Sequence, residues 1–196
     1  MATEPVIPTA PSFGPSALAT PANGVTVVRV LFTPLLVVLI VGREDPASWT
    51  ALGLWFLLAG TDTIDGWLAR RQGTTRSGAF LDPLADKVLV LGALAALVAA
   101  QRFWWLPAAL IAFREVAISL FRSYWGRRGL AVPATGWAKV KAVVQDAAIG
   151  LALLPWAADT PWVAQAVLWA AVVLTLATGI QYLLEGSRAT RTTGCA

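Results

Sequence analysis

Asp62-Thr-Ile-Asp65-Gly66-Trp-Leu-Ala69-Arg70, a polar connection, and then Gly78-Ala-Phe-Leu-Asp82-Pro-Leu-Ala-Asp86 place four carboxylates between flanks apolar enough to cross a bilayer. Asp62 and Asp65 are spaced i,i+3 and Asp82 and Asp86 i,i+4, so each pair shares one face of a helix. Gly66 and Ala69 put small residues beside the first pair, where a backbone or a ligand can come close. Four acids at membrane depth repel one another and carry a desolvation cost unless cations neutralise them. Pairing with Arg70, Arg71 or Lys87 is the ordinary structural alternative, and it leaves the grouping of four acids unexplained.

The rest of the composition says what kind of chain surrounds this stretch. Of 196 residues, 57% are hydrophobic and only 13% charged, and the mean hydropathy is +0.67. Soluble domains are nearer half apolar and a quarter charged, so the sequence predicts one integral membrane domain. The net charge of +4 and pI near 9.8 raise the question of nucleic acid. The basic residues fall between or at the ends of apolar segments, however, where anionic lipid headgroups account for them, and no nucleic-acid partner is expected. There is no His, and the one Cys is Cys195. Zinc clusters and intrachain disulfides are thereby excluded, and any metal must be held by oxygen, which suits Mg²⁺, Mn²⁺ or Ca²⁺.

In chain order, residues 1–22 are rich in Pro, Ala, Thr and Ser and read as a disordered arm. Asn23, Thr26 and Arg29 open the first apolar run, spaced by three along one side of a helix. Arg29 fits either an interfacial snorkelling anchor or a member of the site. Six apolar runs are expected to form helices at about 25–42, 48–70, 79–100, 104–124, 136–157 and 162–184, each close to the ~20 residues a span needs. The membrane domain is thus 23–186, followed by a tail at 187–196. An even number of spans leaves both termini on one side. Charge then makes that side cytoplasmic, because it collects Arg70, Arg71, Arg76, Arg122, Arg127, Arg128, Lys139, Lys141, Arg188 and Arg191 against Arg43 and Arg102 opposite. The expected fold is an all-α six-transmembrane-helix bundle whose polar cavity opens to the cytoplasm. Trp49, Trp104, Trp105, Trp156 and Trp162 fall at helix ends on the outer side and read as an interfacial belt.

Beyond the aspartates, the fourth helix carries Arg114, Glu115, Ser119 and Arg122, and the fifth carries Lys139, Lys141 and Asp146. Charges at this depth usually face a bundle interior or a water cavity. Internal pairing is one reading: Glu115 with some basic residue, Lys139 with Asp146, Arg122 and Lys141 snorkelling. For the group, guanidinium and ammonium side chains converging near a cation site suit a phosphate. Lys139 and Asp146 share a face, whereas Lys141 is expected to point largely elsewhere. Carboxylates for one or two divalent cations, basic residues for phosphate and a carboxylate left over as base together suit in-line displacement at the phosphorus of a lipid-linked substrate. A divalent-cation transporter would also carry intramembrane aspartates, but the repeats and broken helices typical of one are not evident.

The pattern Asp62-x2-Asp65-Gly66-x2-Ala69-Arg70-x7-Gly78-x3-Asp82-x3-Asp86 resembles the signature of the CDP-alcohol phosphatidyltransferases, with every fixed position filled. The resemblance implies a six-helix membrane enzyme, commonly a homodimer, in which an alcohol attacks the lipid-bearing phosphorus of a CDP-lipid and releases CMP. It implies Asp62, Asp65 and Asp82 as ligands of Mg²⁺ or Mn²⁺ (two ions), and Asp86 as the ligand that also serves as general base. It implies contacts to the CDP moiety from Asp62, Gly66, Ala69, Arg70 and Gly78.

Weaker similarity extends to both sides. Asn23-x2-Thr26-x2-Arg29, Leu81-Asp82-Pro83-Leu84-Ala85-Asp86-Lys87, Arg114-Glu115-x3-Ser119-x2-Arg122 and Gly136-x2-Lys139-Val-Lys141 are similar to the bacterial phosphatidylglycerophosphate synthases of that family. Asn23 and Thr26 then join the CDP contacts, while Arg114, Arg122, Lys139, Lys141 and Arg29 are the expected contacts of the acceptor phosphate. Pro21 and Ala142 depart from the usual pattern, the latter standing where Thr is common. The implied substrates are CDP-diacylglycerol and glycerol-3-phosphate, in a multi-pass protein of the bacterial cytoplasmic membrane. Cardiolipin synthases and phosphatidylinositol-phosphate synthases of the same fold are the rival readings.

Overall fold

The computed structural model describes residues 21–72, 78–126 and 137–193, with side chains described for 24, 26–61, 84–121 and 139–180. It contains six long helices: α1 Pro21–Val41, α2 Trp49–Gln72, α3 Gly78–Ala99, α4 Trp105–Gly126, α5 Trp137–Leu153 and α6 Pro161–Thr193. A 3₁₀ turn, Pro155–Ala157, separates α5 from α6. The all-α expectation holds among the described residues. The arm expected at 1–22 lies outside them except for Pro21 and Ala22, which begin α1.

Two boundaries moved for identifiable reasons. The fifth helix was expected to reach about residue 157, but it stops at Leu153 because Leu154 precedes Pro155 and adopts an extended conformation (φ −73°, ψ 119°). The sixth was expected to end near 184, yet α6 runs on to Thr193 through the segment read as a tail. Nothing there is a strong helix breaker: Gly186 is its only Gly, and no Pro occurs.

One stretch among the described residues is long and apolar enough to cross a membrane by itself, Pro161–Ile180 of α6, with mean hydropathy 2.0. The purely apolar parts of α1 and α2 are shorter, Thr26–Val41 and Trp49–Thr61. Ionisable residues interrupt the later helices, as at Asp86, Glu115 and Lys141. The expected six spans are therefore six helices, of which one passes a test of length and composition alone.

Packing joins α1 to α3 and α2, α5 to α6 and α2, and α4 to α6 and α3. The core is built from Leu36, Ile40, Trp55, Leu58, Leu89, Leu97, Ile149 and Leu168, all essentially inaccessible. Close approach of α1 to α3 depends on Gly92, where an added Cβ would lie 3.3 Å from Thr33 Cγ2. The outward faces are apolar too, with Leu31, Phe56, Phe113 and Leu120 exposed. Helices apolar all round belong in an apolar surrounding.

One end of the bundle is closed by polar contacts. Ser48 caps α2, accepting from Ala51 N at 3.2 Å, and its own N–H donates to Leu153 O at 3.0 Å. The α3 terminus turns at Gln101 (φ 57°), with Arg102 N donating to Leu97 O and Gln101 N to Val98 O, the paired bonds of a Schellman cap. That turn aims the Arg102 guanidinium at the end of α5, where it donates to Ala152 O (3.3 Å), Ala157 O (2.7 Å) and Ala158 O (2.7 Å). Trp49, Trp104, Trp105, Trp156 and Trp162 are all exposed around this end, with Trp49 and Trp156 edge to face at 5.4 Å.

Candidate active site

The opposite end holds the polar residues. α3, α4 and α5 enclose a cavity of about 40 Å³ whose polar wall is Asp86, Lys87, Glu115, Lys141, Gln145 and Asp146. Each helix contributes for a sequence reason. Asp86 and Lys87 follow the Pro83 turn of α3, Glu115 sits one turn before Ser119 on α4, and Lys141 and Gln145 are one turn apart on α5.

Glu115 is the hub. Its Oε1 accepts from Arg114 Nη1 at 2.9 Å and also from Lys141 Nζ. Arg114 extends to α6, where Nη2 donates to Thr178 Oγ1 at 3.2 Å and the guanidinium stem lies over Gly179. Lys87 Nζ donates to Ser119 Oγ, and that hydroxyl donates to the Glu115 carbonyl at 2.5 Å. Lys141 is 6% exposed, and the Arg114 and Glu115 side chains 14% each. The Arg114–Glu115–Lys141 cluster alone carries one positive charge in excess and Lys87 adds another, while Asp86 and Asp146 set two carboxylates against them in the same wall. The Arg114–Lys141 side suits an anion, and the Asp86 and Asp146 side suits a cation or a hydroxyl donor.

The expected residues distribute as follows. Asp86, Lys141 and, through Glu115, Arg114 are brought together. Lys139 is exposed and outside the cavity wall, which spans 141–146 instead. Lys141 rather than Lys139 therefore faces the cavity beside Asp146: two positions are about half a turn of helix, and the side of α5 that carries 141 and 145 is the one turned inward. Arg29 is completely buried between α1 and α2, donating from Nη2 to Thr61 Oγ1 at 3.3 Å immediately before Asp62. Thr26 is buried near it on α1. Asn23, Asp62, Asp65, Ala69, Arg70, Asp82 and Arg122 have side chains outside the described set, and so do the surroundings of Gly66 and Gly78.

Among the described residues no three metal-ligating side chains converge. The backbone nevertheless puts Asp62 and Asp65 in the C-terminal half of α2 and Asp82 and Asp86 in the N-terminal half of α3. These helices pack on each other and are joined by only residues 73–77. A donor set of carboxylates alone, brought to adjoining helix ends, fits a hard cation such as Mg²⁺ or Mn²⁺. Two features escaped the sequence reading: the Lys87–Ser119 contact, and Gln145. The latter was signalled only by standing four residues after Lys141.

The sequence profile described as CDP-alcohol phosphatidyltransferase matches residues 19–177. A probable phosphatidylglycerophosphate synthase of Mycobacterium tuberculosis H37Rv is 35% identical over 179 residues, covering 89% of this chain and 85% of that protein. The CDP-diacylglycerol–glycerol-3-phosphate 3-phosphatidyltransferase of Haemophilus influenzae is 34% identical over 163 residues (81% and 88%). The enzyme of that name from Salmonella choleraesuis is 40% identical over 169 residues (81% and 90%).

Proposed function

The chain belongs to the CDP-alcohol phosphatidyltransferase family, and from that premise we propose that it transfers the phosphatidyl group of CDP-diacylglycerol to glycerol-3-phosphate, giving phosphatidylglycerophosphate and CMP. The observation that carries the choice of acceptor is the pair of cations Arg114 and Lys141, joined through Glu115, with Lys141 and Glu115 lining the cavity beside Asp86. A dianionic acceptor matches that pair; an inert or apolar alcohol would gain little from it.

In this reading Arg114 and Lys141 bind the acceptor phosphate and hold the molecule so that its terminal hydroxyl faces Asp86. Asp86, exposed at the cavity mouth, takes the proton of that hydroxyl as its oxygen bonds to the lipid-bearing phosphorus. The phosphorus–oxygen bond to CMP breaks in line, and the electron pair leaves with CMP. Asp62, Asp65, Asp82 and Asp86 would hold Mg²⁺ or Mn²⁺, which neutralises the charge gathering on the phosphates. Gly66, Ala69, Arg70, Gly78, Asn23 and Thr26 make the contacts to CDP, while Arg29, Arg122 and Lys139 complete the basic surroundings. Positioning and charge neutralisation supply most of the acceleration in phosphoryl transfer, and this set of residues is suited to both.

We also place the protein in the bacterial cytoplasmic membrane with the cavity facing the cytoplasm, as a homodimer. The exposed apolar faces and the distribution of Lys and Arg support that placement. Purified protein in detergent, given CDP-diacylglycerol and Mg²⁺ with each acceptor in turn, is expected to release CMP chiefly with glycerol-3-phosphate. A preference for phosphatidylglycerol or inositol phosphate reassigns the acceptor.

A further inference from the structure

Gln145 is 3% exposed, and it stands in the wall of the cavity between Lys141 and Asp146. Its carboxamide makes no hydrogen bond to any other described residue. The carboxamide is not among the fully enclosed unpaired groups, so it opens onto the cavity, where nearly all such groups in folded proteins find water or a ligand. Every other polar group in this wall is charged. Gln145 alone offers two N–H donors and a carbonyl acceptor with no net charge, and that combination matches a hydroxyl, which both donates and accepts.

Resting on the reading of glycerol-3-phosphate as acceptor, we propose that Gln145 is a specificity-determining residue that binds the central, non-reacting hydroxyl of the acceptor. The one-turn offset from Lys141 explains why one helix can carry both contacts. A side chain at 141 that holds the phosphate and one at 145 that holds the neighbouring hydroxyl lie successively along the same face of α5. Asp86, across the cavity on α3, then meets the remaining hydroxyl. Three groups on two helices thereby read phosphate, middle hydroxyl and terminal hydroxyl in order, and only the last reacts.

The test compares glycerol-3-phosphate with 3-hydroxypropyl phosphate, which keeps the phosphate and the reacting hydroxyl but lacks the central one. Initial rates of CMP release from CDP-diacylglycerol are measured for the unaltered protein and for Gln145→Leu. A site built around a hydroxyl rejects the analogue lacking it, so the unaltered protein should favour glycerol-3-phosphate in kcat/KM by about 10- to 100-fold. In Gln145→Leu the two acceptors should come within about threefold of each other, chiefly because glycerol-3-phosphate worsens while the KM for CDP-diacylglycerol stays put. Gln145→Asn, which keeps the carboxamide on a shorter stem, should recover part of the preference.

Equal discrimination by the unaltered protein and by Gln145→Leu overturns the proposal, as does no discrimination in the unaltered protein. If Gln145→Leu and Gln145→Asn both lose the monodisperse detergent-solubilised species, the residue is structural and the proposal falls. Failure of the acceptor reading looks different: the unaltered protein then releases CMP with phosphatidylglycerol or inositol phosphate and with neither glycerol-3-phosphate nor 3-hydroxypropyl phosphate, and the proposed contact goes with it.

Discussion

Arg114 on α4 and Lys141 on α5, more than twenty positions apart in the chain, meet on a single atom, Oε1 of Glu115. The carboxylate draws together two cations that would otherwise repel in a buried setting, and it uses one donor from each. Arg114 spends a further donor on Thr178 Oγ1, so Lys141, with a single bond to Glu115, keeps the larger share of its N–H groups for another anion.

Glu115→Gln should therefore disturb acceptor binding more than donor binding. With the counter-charge gone the two cations separate, and the KM for glycerol-3-phosphate should rise about tenfold, matching the loss of one charge-assisted contact of roughly 1.5 kcal/mol. The KM for CDP-diacylglycerol should change by less than about threefold. Glu115→Asp, which keeps the charge, should recover part of the loss. Steady-state kinetics with each substrate varied decides it. A fall in the glycerol-3-phosphate KM means that the carboxylate competes with phosphate instead of orienting its partners.

Asp86→Asn keeps the size and one candidate ligand oxygen while removing the base. Turnover should drop by about 10²–10⁴-fold, with CDP-diacylglycerol binding largely preserved. Asp62→Asn, Asp65→Asn and Asp82→Asn should weaken metal and donor binding as well. Binding of CDP-diacylglycerol measured apart from turnover separates the two classes, and more than a few per cent residual rate in Asp86→Asn would falsify its role as base.

Chelation supplies a third test. An all-oxygen donor set in a chain without His predicts that EDTA abolishes CMP release and that Mg²⁺ or Mn²⁺ restores it, with Zn²⁺ a poor substitute. Full turnover in excess chelator after metal stripping would end the assignment of the four aspartates as ligands.

Arg102→Ala probes the other end of the bundle. It deletes three hydrogen bonds to the carbonyls that close α5 and the 3₁₀ turn. Water can replace some of them, so the expected cost is about 2 kcal/mol, or a Tm lower by about 4–8 °C. Activity per folded molecule should be unchanged at a temperature where the variant is intact. Thermal unfolding in detergent alongside kinetics distinguishes this from a loss at the site.

The helices were legible because their signals are local. Apolar runs, prolines and short polar connections mark α1 to α5 to within a few residues, and the aspartate spacing names its own helices. The two misplaced ends had opposite causes: Pro155 stops α5 sooner than its apolar run does, while the polar residues after Leu184 continue α6 because polarity alone does not break a helix. The site was less legible wherever a partner sits on a distant helix. Glu115 was recognisable as a charge needing a counter-ion, but its choice of Lys141 over Lys139 depends on how α5 is rotated about its axis. Gln145 carries no charge, and a lone amide in an apolar helix looks unremarkable until its surroundings are known.

The length of α6 has a practical consequence. Of its 33 residues, the 20 from Pro161 to Ile180 form the apolar span. At 1.5 Å per residue that portion matches a hydrocarbon layer of ~30 Å, and the rest of the helix reaches about 20 Å beyond it. A fluorescent reporter or affinity handle fused after Ala196 would thus be carried on a stiff mast well clear of the headgroups. Fusion directly after Ile180 would press the same cargo into the lipid surface.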